Sequence, residues 1–184
     1  MASNSSSALL MVPRILWGAL LASQVIYVVM LSVPGLLERG AGGVPDPTFL
    51  PPLAIAAGGV AIASFVAPMI FRRSALARAS VETREIPDPE ALQGFRRAAT
   101  MREYVDPSAA RKHAAALAFV PFVLSLALSE AISIFGFLAG FTGSPVEHWA
   151  PFFAAGMTLT AIRFPTERSF FGPFEAKTGI ALPR

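Results

Sequence analysis

The amino-acid sequence predicts an all-α polytopic membrane protein: a four-helix transmembrane bundle with one long cytoplasmic loop that carries a short amphipathic helix. Three observations predict it. The 184 residues are 54% hydrophobic and only 15% charged, with a mean hydropathy of +0.57, too few charges to clothe a water-soluble domain of this size. The apolar residues gather into four blocks rather than recurring at amphipathic spacing, the pattern of segments that exchange water for lipid. With four spans drawn, fourteen of the fifteen basic residues share one side of the membrane.

The first block, about 9–33, ends at Pro34-Gly35, a helix stop. No positive charge precedes it and no small-residue cleavage site leads into a soluble sequence, so it reads as a retained signal anchor. The second, about 51–71, opens at Pro51-Pro52, where proline is tolerated in a first helical turn, and is expected to stop at Arg72-Arg73. Asp106-Pro107-Ser108 is a helix start, so the third helix is expected to begin in the cytoplasm and to cross at about 114–141. Pro121 within it frees the carbonyl of Leu117 and predicts a kink. Thr142-Gly143-Ser144-Pro145 predicts a tight turn into the fourth block, about 149–164, which is short for a span of ~20 residues. The length suits a single domain.

The loop 72–113 holds nine basic and six acidic residues. Within it, Asp88-Pro89-Glu90 has the order of a helix start, and Leu92, Phe95 and Ala99 then share a face away from Arg96, Arg97 and Arg102. This predicts a short helix lying on the membrane surface. Phe170, Phe171 and Phe174 in the tail are expected at the same interface. Arg14, the nine loop cations, Arg163, Arg168, Lys177 and Arg184 lie on the loop side, and only Arg39 is opposite. The positive-inside rule therefore places both termini and the loop in the cytoplasm.

Composition also excludes. Without cysteine there is no disulfide, redox pair or thiolate metal site. The basic residues follow a membrane face instead of forming a patch with interleaved aromatics, so nucleic acid is not a partner. His113 and His148, the latter beside Glu147, belong to opposite membrane faces and cannot share a metal. No phosphate loop, nucleophile elbow, HExxH or carboxylate pair occurs. Neither an enzyme nor a cofactor is expected.

Glu130 is the one acidic side chain well inside an apolar block. An ionised carboxylate at mid-bilayer costs roughly 2.5–3.5 kcal/mol, and hydrocarbon favours the neutral, protonated form. Such a group either loads and releases protons or cations, with Gln24, Ser23 and Ser129 supplying hydrogen bonds, or it glues helices together through Gln24, Ser23, Ser125 or a backbone carbonyl. Arg163 is expected to snorkel to the headgroups. The second block is crowded with small residues, among them Gly58 and Gly59, which let backbones approach closely. Pairing Gln24 with Glu130 sets Ser23 beside Ser129 and Ile26 beside Ile132 on two helices that both run outward. The match is compatible with two repeated hairpins and equally with low complexity.

The segment LSEAISIFGFLAG (128–140) resembles the carboxylate-bearing helix of rotary ATP synthase c subunits. On that mapping Glu130 falls on the ion-binding carboxylate and Gly136 on the glycine of an Ile-aromatic-Gly step, with the small-residue second block as the partner helix. The loop of some forty residues, the flanking helices and the acid's place on the third helix depart from that pattern. Across the whole chain the RILWGALLASQVIY-type first helix, the SEAISIFGF-type third helix and the RFP-type ending resemble a group of small bacterial four-span membrane proteins of unassigned activity. That resemblance implies topology and no activity. Residence in the inner (plasma) membrane is expected. Two functions stay open: a non-enzymatic subunit or scaffold in the lipid bilayer, docking a membrane-protein partner or forming a homo-oligomer, and a proton- or cation-handling protein using Glu130.

Overall fold

A computed structural model of the chain describes residues 4–33, 48–87 and 100–182. These contain helices α1 (Asn4–Ser32), α2 (Leu50–Arg78), α3 (Pro107–Phe141), α4 (Val146–Ala161) and α5 (Glu167–Thr178), with strands β1 (Thr83–Pro87) and β2 (Thr100–Tyr104) between α2 and α3. Among the described residues three helices, α1, α2 and α3, are long and apolar enough to cross a membrane. The fourth apolar block does form a helix, but its 16 residues give a rod of only about 24 Å, shorter than the ~30 Å hydrocarbon core.

Helix α3 is the hub and packs against each of the other four. Its start is the one the sequence predicts: the Asp106 carboxylate accepts from the amides of Ser108 (2.8 Å) and Ala109 (3.0 Å), with Pro107 in the first turn. The Ala109 amide first, and then the Ser108 hydroxyl (2.8 Å), hold the Asp106 carboxyl below the usual carboxylate range. A lowered pKa in the folded state means that the cap stabilises fully above the unfolded value. Its contribution is then lost as pH falls through the folded value. Thermal melting of the detergent-solubilised protein should therefore weaken as pH drops below about 4, and Asp106→Ala should remove that part of the slope. An unchanged acid limb in the variant would contradict the cap assignment.

At its other end α3 closes in a Schellman motif. The amide of Ser144 donates to the Ala139 carbonyl (3.2 Å) and that of Gly143 to the Gly140 carbonyl (3.0 Å), with Gly143 at φ +90°. Only glycine adopts that conformation without strain. The predicted tight turn thus folds α4 back along α3. Every helix carries one interior proline (Pro13, Pro68, Pro121, Pro151, Pro173), and each deprives the carbonyl four residues earlier of its helical donor.

Four expectations are extended or corrected. Helix α2 runs on past Arg72-Arg73, where the apolar block ends, to Arg78. The pair marks where apolar sequence ends, whereas the helix itself continues through good helix formers to a capped end. Lys177 of α5 supplies that cap by donating to the carbonyls of Leu76 and Ala79. The helical fold also carries a strand pair that was not expected: β1 and β2 are antiparallel, with Thr83 opposite Tyr104 and Pro87 opposite Thr100. The amphipathic helix falls mostly on residues 88–99, outside the described residues, but Arg102 lies in β2 and not on a helix. Finally, Phe170, Phe171 and Phe174 are buried against α3, not spread at an interface.

The interior is layered along the bundle. At the loop end, Leu10, Tyr104, Phe122, Leu126 and the three α5 phenylalanines form one apolar core. The Tyr104 hydroxyl fastens it by bonding Thr178 (2.7 Å) and donating to the Ile180 carbonyl (3.1 Å). At the far end, Leu31, Leu53, Ala139, Trp149 and Phe153 form a second core. Between the two lies a belt of polar side chains.

Candidate functional site

The belt is built on a ladder of serines in α3. Ser125, Ser129 and Ser133 recur every four residues and so share one helix face, and all three are buried. Helix α4 comes close to that face because Gly156 has no side chain. A Cβ there would meet the Ser133 hydroxyl and stand 3.0 Å from the Ser129 carbonyl. Gly136 likewise admits Phe152 and the Trp149 carbonyl, at 2.8 and 3.1 Å from where its Cβ would be.

Three sets of hydrogen bonds tie the other helices to this ladder. From α1, the fully buried Gln24 donates to Thr160 Oγ1 of α4 (2.9 Å) and accepts from Ser133 Oγ of α3 (3.1 Å), so one amide joins three helices. About two turns earlier, Trp17 Nε1 donates to the Thr160 carbonyl (2.7 Å), which also accepts from the Arg163 amide (3.1 Å) at the end of α4. From the turn after α4, Arg163 reaches back between α2 and α3. Its Nη1 donates to Ser129 Oγ and to the Ser125 carbonyl (3.3 Å), and its Nη2 to Ser64 Oγ (2.9 Å) and the Ser64 carbonyl (3.0 Å). That last carbonyl is the one Pro68 deprives of a helical partner. The guanidinium also lies over the Phe65 ring at 4.9 Å. Arg163 is thus half-buried as an interhelical clamp, where snorkelling to the headgroups was expected.

Of the residues singled out in the sequence, Ser23 and Glu130 do meet, with Ser23 Oγ 2.7 Å from Glu130 Oε1. Glu130 is half-buried at the seam between α1 and α3. Gln24 turns away from it toward Thr160 and Ser133, and Ser129 bonds the Ser125 carbonyl (2.8 Å) and Arg163. Gly58 and Gly59 lie exposed on α2 with no atom within 4 Å of an added Cβ, so the close approach expected of them belongs to Gly136 and Gly156. Sequence reasoning passed over Ser64, Ser133 and Thr160 and misplaced Arg163. The four-residue serine spacing and the proline four residues after Ser64 were the available signals.

The belt is chemically closed. Among the described residues no buried side-chain nitrogen or oxygen lacks a partner, and no three histidine or acidic side chains gather where they could hold a metal. His113 sits against Phe174 at the loop end, while Glu147 and His148 edge an apolar groove of about 710 Å³ between α2 and α4. Comparison with known proteins finds no matching family model, no matching curated protein and no matching solved structure.

Proposed function

We propose that the protein is a non-enzymatic scaffold subunit of a membrane complex, crossing the inner (plasma) membrane four times with both termini in the cytoplasm. The closure of the polar belt supports this reading. Groups that work on a substrate keep donors or lone pairs aimed into a cavity, whereas Gln24, Ser64, Ser129, Ser133, Thr160 and Arg163 use theirs to join helices. On this reading α4 with its following turn is a short fourth span, tolerated by local thinning of the bilayer, and the basic residues beside Arg72 face the cytoplasm. The partner is another membrane protein or a second copy of the chain. Mild-detergent extraction followed by identification of what comes with the protein should return a stoichiometric partner or a homo-oligomer. A lone monomer with nothing attached would remove the scaffold reading, and a reporter fused within 72–113 that is found outside the cytoplasm would remove the topology.

One observation favours a second reading, a titrating Glu130. Ser23 Oγ is 2.7 Å from Glu130 Oε1 and also 2.8 Å from the Leu20 carbonyl. A hydroxyl has one proton and cannot serve both acceptors fully. Both contacts become complete hydrogen bonds when a protonated Glu130 donates to Ser23, which then donates to Leu20. Carbodiimides modify protonated carboxylic acids reached from the lipid. On this reading Glu130 is labelled, the labelling fades as pH rises, and Glu130→Gln abolishes it. Absence of labelling at every pH, with assembly unaffected in Glu130→Gln, leaves the scaffold reading alone.

A further inference from the structure

We infer that the loop end of the bundle holds a binding site for the phosphate of an anionic phospholipid, with Arg72 and Arg73 as its hydrogen-bond donors and the fixed charge of Arg163 behind them. A cavity of about 410 Å³ opens there between α2, α3 and the turn into α5. All three arginines line it, and no acidic side chain does. Arg163 forms its inner wall. Every hydrogen-bond partner of its two Nη atoms is a neutral hydroxyl or carbonyl, so its charge is held in place and left uncompensated. Arg72 and Arg73 have no acidic partner among the described residues. By contrast, the arginines of the neighbouring β-hairpin are matched, Arg84 to Glu103 at 2.9 Å and Arg102 to Glu85 at 4.0 Å. Positive charge therefore gathers in this cavity.

Position and shape select the ligand. Arg72 and Arg73 directly follow Phe71, the last residue of the apolar run of α2, which places them at headgroup depth. Phe65, Met69 and Ile162 line the same cavity and are exposed on its flank, an apolar surface along which an acyl chain can lie while its phosphate enters. Guanidinium groups bind phosphate oxygens through paired N–H donors, and basic pockets between membrane helices are suited to anionic headgroups. The apolar groove beside Glu147 and His148 at the other end of α2 has no lysine or arginine in its wall and lacks this chemistry. The inference depends on membrane residence alone and not on the scaffold role or on Glu130.

Native mass spectrometry of the detergent-purified full chain tests it, with phosphatidylglycerol, phosphatidylcholine and inorganic phosphate as probes. Phosphatidylglycerol should be retained over phosphatidylcholine by about tenfold or more, since each arginine near an anionic headgroup contributes roughly a factor of five. Arg72→Gln/Arg73→Gln should abolish that preference, while Arg84→Gln/Arg102→Gln, an equal loss of charge on the hairpin, should keep it. The double variant leaves the Arg163 clamp intact, and an unchanged lipid-free melting temperature shows that it is folded. Should it melt early, Arg73→Gln alone, at the more exposed position, gives the same reading at reduced amplitude. Millimolar inorganic phosphate that leaves the lipid bound assigns the site to a headgroup. Phosphate that displaces the lipid keeps the site and makes a free phosphate its source. Equal retention of the two lipids, or equal losses from both double variants, overturns the proposal.

Discussion

Arg163→Leu is expected to destabilise the bundle by about 2–3 kcal/mol, at ~0.6 kcal/mol for each of the four interhelical hydrogen bonds it removes from a membrane interior. The substitution removes the bonds to Ser64 on α2 and to Ser125 and Ser129 on α3 together. It also strands the Ser64 carbonyl, which Pro68 has already deprived of a backbone donor, and an unmatched buried carbonyl costs about 1–3 kcal/mol. The second effect supplies a specific check. Pro68→Ala restores an amide four residues after Ser64, so combining it with Arg163→Leu should recover part of the loss, giving a coupling between the two positions. Ser64→Ala alone should cost less than Arg163→Leu, because the carbonyl keeps its cation. Reversible unfolding in mixed micelles measures the parent and the four variants, Pro68→Ala alone included to close the cycle. An Arg163→Leu protein as stable as the parent would show that the clamp contributes nothing.

Gly156→Leu is expected to force α3 and α4 apart and to cost about 3 kcal/mol or more, at the upper end of what overpacking does to a filled interior. Its first side-chain carbon would stand 3.0 Å from the Ser129 carbonyl and collide with Ser133, whose hydroxyl serves Gln24. Relief by sliding the helices would therefore break the bond that α1 makes to the ladder. The same substitution at Gly58 should change stability by less than about 0.5 kcal/mol, because nothing lies within 4 Å of that position. Equal effects at the two glycines would mean that the α3–α4 contact is looser than the structure has it.

These two substitutions also mark how far the sequence could be read. The apolar blocks, the Asp106 cap and the 142–145 turn were legible because each is written in contiguous residues with a local physical cause. Glu130 was singled out by its cost in lipid, and its partner Ser23 by proximity along an outward-running helix. Gln24 was noticed for the wrong neighbour. An amide next in sequence to a carboxylate's partner looks like a partner itself in one dimension, but helix rotation turns it toward Thr160 and Ser133, 136 and 109 residues away. Arg163 was misread for a related reason. An arginine at the end of an apolar block ordinarily reaches for water, and only the acceptors gathered by α2 and α3 make the inward route better. The strand pair was missed because Thr83–Pro87 and Thr100–Tyr104 are each five residues with weak alternation, and pairing across a gap is not a local signal. Gly58 and Gly59 show the converse error: a run of small residues permits close approach without saying which of them is approached.

The contacts of α5 have a consequence for biosynthesis. Lys177 closes the end of α2 from 101 residues further along the chain, and Thr178 and Ile180 hold Tyr104 from more than seventy. At ~5–20 residues per second, the earlier segments wait for several seconds with their carbonyls and aromatic faces uncovered. The hairpin and the loop-end half of α3 thus stay uncovered until α5 has been made, more than seventy residues after Tyr104.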